Sequence, residues 1–194
     1  MLRSLRSGLV RFTVRRAAAS QRDAPKRADW WLRIGCAITP AFAECYTALV
    51  RLRRAIEDRW GALAAAQEAA EHFPENPDAW MLLGEACQMV FRQHDALHAY
   101  EQVLALEERF DAALQAGDLY RRAGRYADAA ARFARAYAAG GGADALRLNA
   151  QALFQAGDVR AADEALHLWA TLVPDGLERL SDARAELFAE KRDG

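Results

Sequence analysis

The chain has 194 residues, 53% of them hydrophobic and 27% charged, and its net charge at pH 7 is −1. This apolar content excludes disorder over the whole length, and the length allows one domain or a short array of repeats. Three cysteines without the spacing of a metal or redox motif favour a reducing compartment. No apolar run reaches about 18 residues, so we expect no transmembrane segment.

The first expected element is a basic N-terminal arm, residues 1–28. The first 35 residues carry nine basic and two acidic side chains, a net charge of +7, whereas the remainder carries −8. Four apolar residues of the arm would share one side of a helix: Leu2, Leu5, Leu9 and Phe12. The acid-free stretch 1–22 resembles a mitochondrial presequence, and a disordered tail from a GC-rich bacterium has a similar composition. We expect a bacterial cytoplasmic protein with a disordered arm or, alternatively, targeting to the mitochondrial matrix.

Residues 29–42 are expected to form an N-terminal capping segment. Trp30 and Trp31 are followed there by Leu32 and Ile34. A stack of repeats needs its terminal apolar faces covered, so these side chains should pack against the first repeat instead of forming an exposed site.

From residue 43 onward, small and large residues recur at a fixed interval. One position, always small, recurs every 33 residues: Gly84, Gly117 and Ala150. Two further positions keep the same interval, one with alanine and one with a bulky residue: Ala96, Ala129, Ala162 and Tyr100, Phe133, Leu166. Such self-similarity is the signature of a solenoid, whose units bury their apolar faces only by stacking. The spacing within each repeat predicts helix–turn–helix, with the small residues where two helices approach closely.

This interval divides the body of the chain into four repeats. The clearest spans 77–109, two more follow at 110–142 and 143–175, and a degenerate repeat fits at 43–76. Prolines check the phase independently, because helices stop before them. Pro74 and Pro174, which end the first and the last repeat, lie 100 residues apart, equal to one interval of 34 and two of 33.

These residues resemble the tetratricopeptide repeat. Trp80, Leu83, Gly84, Ala96 and Tyr100 match the family's order of large, large, small, small and aromatic positions. The resemblance covers about 130 residues and implies an all-α fold, a right-handed α-solenoid of helix–turn–helix repeats.

The last repeat departs from this pattern, and a capping helix is expected to follow it. Asn149 stands where Leu83 and Leu49 stand in other repeats, so its polar group needs a partner or marks a loosened repeat. Residues 176–194 are expected to form a C-terminal capping helix and tail, with a polar face toward water. Its apolar side would consist of four residues: Leu177, Leu180, Leu187 and Phe188.

The resemblance also implies a ligand site, because in this family the first helices of successive repeats line a concave groove. Carried over position by position, that groove begins near Thr47 and would present eleven further residues: Arg51, Arg54, Met81, Glu85, Gln88, Leu114, Asp118, Arg121, Arg147, Gln151 and Phe154. Mixed charge with interspersed apolar side chains suits an extended peptide or a helix of a partner protein. The alternative is that these residues are merely solvated faces.

Other motifs have no supporting context for chemistry. Gly140, Gly141 and Gly142 follow a helix and lack the Lys-Ser/Thr of a phosphate loop, which indicates a turn between repeats. His94 and His98 share a helix face but have no third ligand at a suitable spacing, so we expect no metal. No nucleophile and base are arranged for catalysis, and we expect no cofactor.

The sequence therefore predicts a non-enzymatic scaffold that binds another protein. A dedicated chaperone or assembly factor for one client is the alternative, and an enzyme or metal protein built on the same scaffold is a third hypothesis. Binding of nucleic acid is not expected, because the acidic body would oppose it beyond the basic arm.

Overall fold

The computed structural model describes residues 2–20, 24–38 and 43–189, and for 2–10, Ile38, Ala43, Phe188 and Ala189 it describes the backbone alone. Within these ranges every regular element is an α-helix. The eleven described helices are α1 Leu2–Ser20, α2 Pro25–Ile38, α3 Ala43–Ala55, α4 Arg59–His72, α5 Pro77–Met89, α6 Gln93–Leu106, α7 Phe110–Arg122, α8 Tyr126–Ala138, α9 Gly142–Ala156, α10 Val159–Leu172 and α11 Gly176–Ala189. The all-α prediction is confirmed.

The helices follow the interval seen in the sequence. The second helices of the four repeats begin at Arg59, Gln93, Tyr126 and Val159, which are 34, 33 and 33 residues apart. The chain divides into two compact units, the first containing α1–α6 and the second α7–α11. No helix among the described residues combines the length and apolar character that crossing a bilayer requires.

Local signals start the helices of the first compact unit. The carboxylate of Asp58 accepts a hydrogen bond from the backbone N–H of Gly61 (2.9 Å), which caps α4. Asn76 caps α5 in the same way through the N–H of Asp78 (2.9 Å), and Pro77 takes the first helical position. These caps satisfy donors that the first turn leaves without partners.

Each helix pair of repeats in the first compact unit combines one small and one larger residue at two equivalent positions, one on each helix. A Cβ on Gly84 would lie 2.5 Å from the ring of Tyr100, so α5 and α6 touch backbone against ring. In the preceding pair the two equivalent positions hold Val50 and Ala66, both fully buried. The large and the small residue have thus exchanged helices, which keeps the layer filled and explains how a degenerate repeat still packs.

The second compact unit repeats this arrangement and accommodates the polar departure. A Cβ on Gly117 would lie 2.6 Å from the ring of Phe133. Asn149 is buried, and its Nδ2 donates a hydrogen bond to the carbonyl oxygen of Ala130 on α8 (2.7 Å). Its polar group therefore has the partner that burial demands.

Helix α11 packs on the last repeat. Leu180 and Leu187 join a buried cluster with Leu166 and Trp169 of α10. Leu177, expected on the same apolar side, is instead 67% exposed, because it lies in the first turn, where it does not reach the cluster. The side chain of Phe188 lies outside the described residues.

The N-terminal region differs from the expected arm and cap. Residues 2–20 form a helix, α1, which pairs with α2, and α2 begins at Pro25, before the expected boundary at residue 28. Thr13 and Ala17 of α1 are buried, because their small side chains allow close helix contact. Phe12, expected on the apolar side, is 46% exposed, and Trp30 is 55% exposed instead of packing inward.

Candidate protein-binding faces

In the first compact unit, α3 and α5 are neighbours, as the first helices of successive repeats. Arg54 of α3 and Glu85 of α5 form an ion pair between their side chains, which are 42% and 36% exposed. Met81, one turn before Glu85, and Gln88 are half-buried. The structure therefore brings Arg54 and Glu85 together on one face, which we call the α3–α5 face and define by Arg54, Met81, Glu85 and Gln88.

Arg51 has a different neighbourhood from the one expected. Its side chain is exposed and lines a surface cavity of about 230 Å³ together with Ala17 and Leu32, which belong to α1 and α2. Because α1 contacts α3, that helix occupies the space beside Arg51. Arg51 therefore faces the N-terminal hairpin, and Thr47 on the same helix is half-buried.

In the second compact unit, α7 carries three of the expected residues. Leu114 is half-buried, and Asp118 pairs with the guanidinium of Arg121 at 2.5 Å and with that of Arg122 at 2.6 Å. The Nε of Arg121 is shielded from solvent and has no hydrogen-bond partner among the described residues. On α9, Arg147 is exposed and Gln151 is half-buried.

Phe154 is a wrong assignment to the groove. It is only 4% exposed and belongs to the buried cluster of the last repeat, with Ala150 and Leu166. The equivalent positions hold Gln88 and Arg121, which are half-buried. The position lies at the border between core and surface, so an apolar ring turns inward where a polar chain extends outward.

The other candidate motifs have structural roles. His94 is 96% exposed at its side chain, whereas His98 packs its ring against Trp80, with 6.0 Å between ring centroids. Gly140, in the turn between α8 and α9, and Gly142, the first residue of α9, adopt positive φ angles (95° and 68°), a conformation that glycine allows. In the described part of the chain, no three His, Cys, Asp or Glu side chains converge as metal ligands would.

The three cysteines are buried and do not form disulfides. Cys36 of α2 and Cys45 of α3 are hydrogen-bonded neighbours, and this bond and burial raise the pKa of Cys36. Burial also raises the pKa of Cys87. Cys36 and Cys87 are therefore poor nucleophiles at neutral pH, because a thiol with a raised pKa is less often ionised. The hydrogen bond with Cys36 lowers the pKa of Cys45 instead.

Comparison with known proteins shows which solved structures this fold resembles. No protein-family model matches the chain, and no curated protein matches its sequence. The structure is similar to that of MamA protein (TM-score 0.71, 15% identity, 91% of this chain and 96% of the other). It is also similar to YrrB, a TPR protein with an unusual peptide-binding site (TM-score 0.68, 18% identity, 91% of this chain and 90% of the other). A third similar structure is that of TTC0263, a thermophilic TPR protein of Thermus thermophilus (TM-score 0.54, 17% identity, 93% of this chain and 99% of the other). The chain therefore has the tetratricopeptide-repeat fold, which confirms at the level of the fold the family resemblance and the all-α solenoid class.

Proposed function

We propose that this protein is a non-enzymatic interaction scaffold that binds a peptide or a helix of another protein on the first helices of its repeats. The observation that carries the proposal is the ion pair between Arg54 and Glu85, which puts side chains of two successive first helices on one face. The peptide-binding site of YrrB, a protein of the same fold, adds support by analogy.

The chemistry of the α3–α5 face suits a peptide. An ion pair exposed by about two fifths contributes little to stability, so Arg54 and Glu85 can redirect their donors and acceptors to a ligand at low cost. Met81 supplies a flexible apolar contact one turn away. A ligand that offers both polar groups and apolar side chains, such as an extended peptide or an amphipathic helix, can contact the charged pair and Met81 at the same time.

The α7 residues of the second compact unit support the same kind of ligand. The shielded Nε of Arg121 lacks a hydrogen-bond partner, and such a donor destabilises the arrangement in which it sits. A rotamer change of Arg121 toward a bound carboxylate or carbonyl would relieve that cost. Arg147 and Gln151 of α9 would add polar contacts.

The test changes one residue on each set, Met81→Ala and Arg121→Glu together. Peptides selected by the wild-type protein from a random peptide library displayed on phage should bind the double variant at least about tenfold more weakly, because an apolar contact is lost and a charge is reversed. Fluorescence anisotropy of the labelled peptides measures the affinity. Circular dichroism should show unchanged helicity.

The matched control is Arg160→Glu with Leu168→Ala on α10, a second helix, where these residues are 92% and 42% exposed. Affinity equal to wild type is expected for the control. Equal loss in both variants, or unchanged affinity in the Met81→Ala and Arg121→Glu variant, would contradict the proposed faces. Co-purification of one stoichiometric client from the source organism, insoluble without this protein, would favour the alternative of a dedicated chaperone.

A further inference from the structure

The pair of helices α1 and α2 exposes a cluster of aromatic rings. Trp31 contacts Phe12 edge to face, with 5.8 Å between centroids and an interplanar angle of 89°, and the ring centroid of Trp30 lies 4.8 Å from that of Trp31. Phe12 and Trp30 are about half exposed. Exposed aromatic side chains that already touch each other form a continuous apolar patch, which marks an interaction surface.

Cationic side chains lie beside these rings. The guanidinium of Arg16 lies over the Phe12 ring, 5.3 Å from its centroid. Arg16 and Arg27 line an open surface cavity of about 460 Å³ together with Trp30 and Trp31. Three more exposed basic residues lie on the described parts of the two helices: Arg11, Arg15 and Lys26. Arg33 of α2 lines a different cavity, together with Glu68.

Within the described parts of α1 and α2, little negative charge opposes these cations. Asp29, the acid of α2, pairs with Arg53 of α3 at 2.8 Å. Among the described residues, neither Arg16 nor Arg27 forms an ion pair with a carboxylate. The side of the two helices that carries the rings is therefore strongly cationic.

The opposite side of the same helices is the packed one. Thr13 and Ala17 of α1 and Ala28 and Leu32 of α2 are buried. Phe12 and Arg16 belong to the other side of α1, one residue before each buried position, and Trp30 to that of α2. The two sides of the hairpin thus differ, with small and aliphatic residues toward the protein and with rings and cations toward solvent.

We propose that the surface defined by Phe12, Arg16, Arg27, Trp30 and Trp31 docks on a bilayer that contains anionic phospholipids. Arginine side chains contact the headgroup phosphates, and the rings of Phe12 and Trp30 enter the boundary between headgroups and acyl chains, where aromatic side chains are favoured. The hairpin lies on the surface without crossing it. This function is separate from the peptide-binding faces.

The ring geometry favours a membrane over a single-stranded nucleic acid. Nucleic-acid binding uses separate aromatic faces on which successive bases stack. Here Trp31 contacts both Phe12 and Trp30 at steep angles, and Arg16 lies over the face of Phe12. The rings therefore form one wedge, which suits insertion between lipids.

The test is co-sedimentation of the full chain with vesicles of phosphatidylcholine alone or of equimolar phosphatidylcholine and phosphatidylglycerol. We expect binding to the anionic vesicles only. Arg16→Gln with Arg27→Gln should weaken it roughly 25-fold, about fivefold for each charge. Trp30→Ala should weaken it several-fold, and circular dichroism should show both variants folded.

Trp60→Ala is the matched control, because Trp60 is 68% exposed at the start of α4, outside the hairpin, and this variant should bind vesicles like wild type. Equal binding of both vesicle types, no loss in the arginine variant, or equal loss in the Trp60 and Trp30 variants would overturn the proposal. Binding of a single-stranded oligonucleotide with no binding of anionic vesicles would overturn it in favour of nucleic acid.

Discussion

Position 84 has room for a hydrogen atom and for no larger side chain. The ring of Tyr100 occupies the place of a Cβ there, at 2.5 Å, and Phe133 does the same at Gly117. In the first repeat the large residue stands on the first helix, as Val50, and the small one on the second, as Ala66. The packing requirement therefore belongs to the pair of positions and not to glycine as such.

This pair can be tested by moving the Val50 and Ala66 combination into the second repeat. Gly84→Val alone should lower the free energy of unfolding by about 1–3 kcal/mol through overpacking, and Tyr100→Ala alone by about 3–5 kcal/mol through a cavity. In the double variant the loss should be smaller than the sum of the two by about 0.5–3 kcal/mol. Urea titration followed by circular dichroism measures all four proteins. Strict additivity would show that the two positions do not share one space.

At the scale of the element, α11 is held to α10 by a charged contact beside its apolar one. The guanidinium of Arg184 donates two hydrogen bonds to the carboxylate of Asp163 (2.6 and 2.7 Å) and lies 2.8 Å from Nε2 of His167. The hydrogen bonds from Arg184 hold the pKa of Asp163 below its ordinary value of 3.8. Bidentate geometry fixes the orientation of the capping helix.

The lowered pKa gives the sign of a pH effect. The contribution of Asp163 to stability is complete above the ordinary carboxyl pKa and is lost as pH falls through the lower pKa of the folded state. Asp163→Asn should therefore be less stable than wild type at pH ~7, and the difference should shrink toward pH ~3. Urea titrations at both pH values test this. Asp182→Asn, which removes an exposed carboxylate of α11, is the control. A stability difference between wild type and Asp163→Asn that has the same size at both pH values would contradict the assignment.

At the scale of the molecule, each helix pair of a repeat array is supported by its neighbours. In the second compact unit α8 contacts both α7 and α9, so a disturbance in the α7–α8 pair reaches the next repeat. The charge is also unevenly distributed along the chain, with a basic N-terminal region and an acidic remainder. Separate surfaces for a membrane and for a peptide are compatible with this division.

Gly117→Leu tests the propagation. Its side chain would collide with Phe133 and should lower the free energy of unfolding by about 1–3 kcal/mol. Hydrogen exchange should show reduced protection in α7 and α8 and also in α9. Ala131→Leu, at an exposed site on α8, should leave protection unchanged. Loss confined to α7, or an unchanged melting temperature, would be evidence against cooperative stacking.

The sequence by itself determined the repeat interval, the helix–turn–helix pattern and the small and bulky residues of each layer, because these follow from local spacing. Only the tertiary structure decided which way border side chains turn. Phe154 shares its repeat position with Arg121 and yet is buried, since the hydrophobic effect draws a ring inward, whereas the side chain of Arg121 stays 40% exposed and pairs with Asp118. Likewise, charge counting suggested a loose arm, whereas contacts of Thr13 and Ala17 with neighbouring helices give α1 a packed side and leave Phe12 and Trp30 outside. The periodicity of a sequence predicts which side of a helix is apolar on average, whereas the neighbouring helices determine which individual residues are buried.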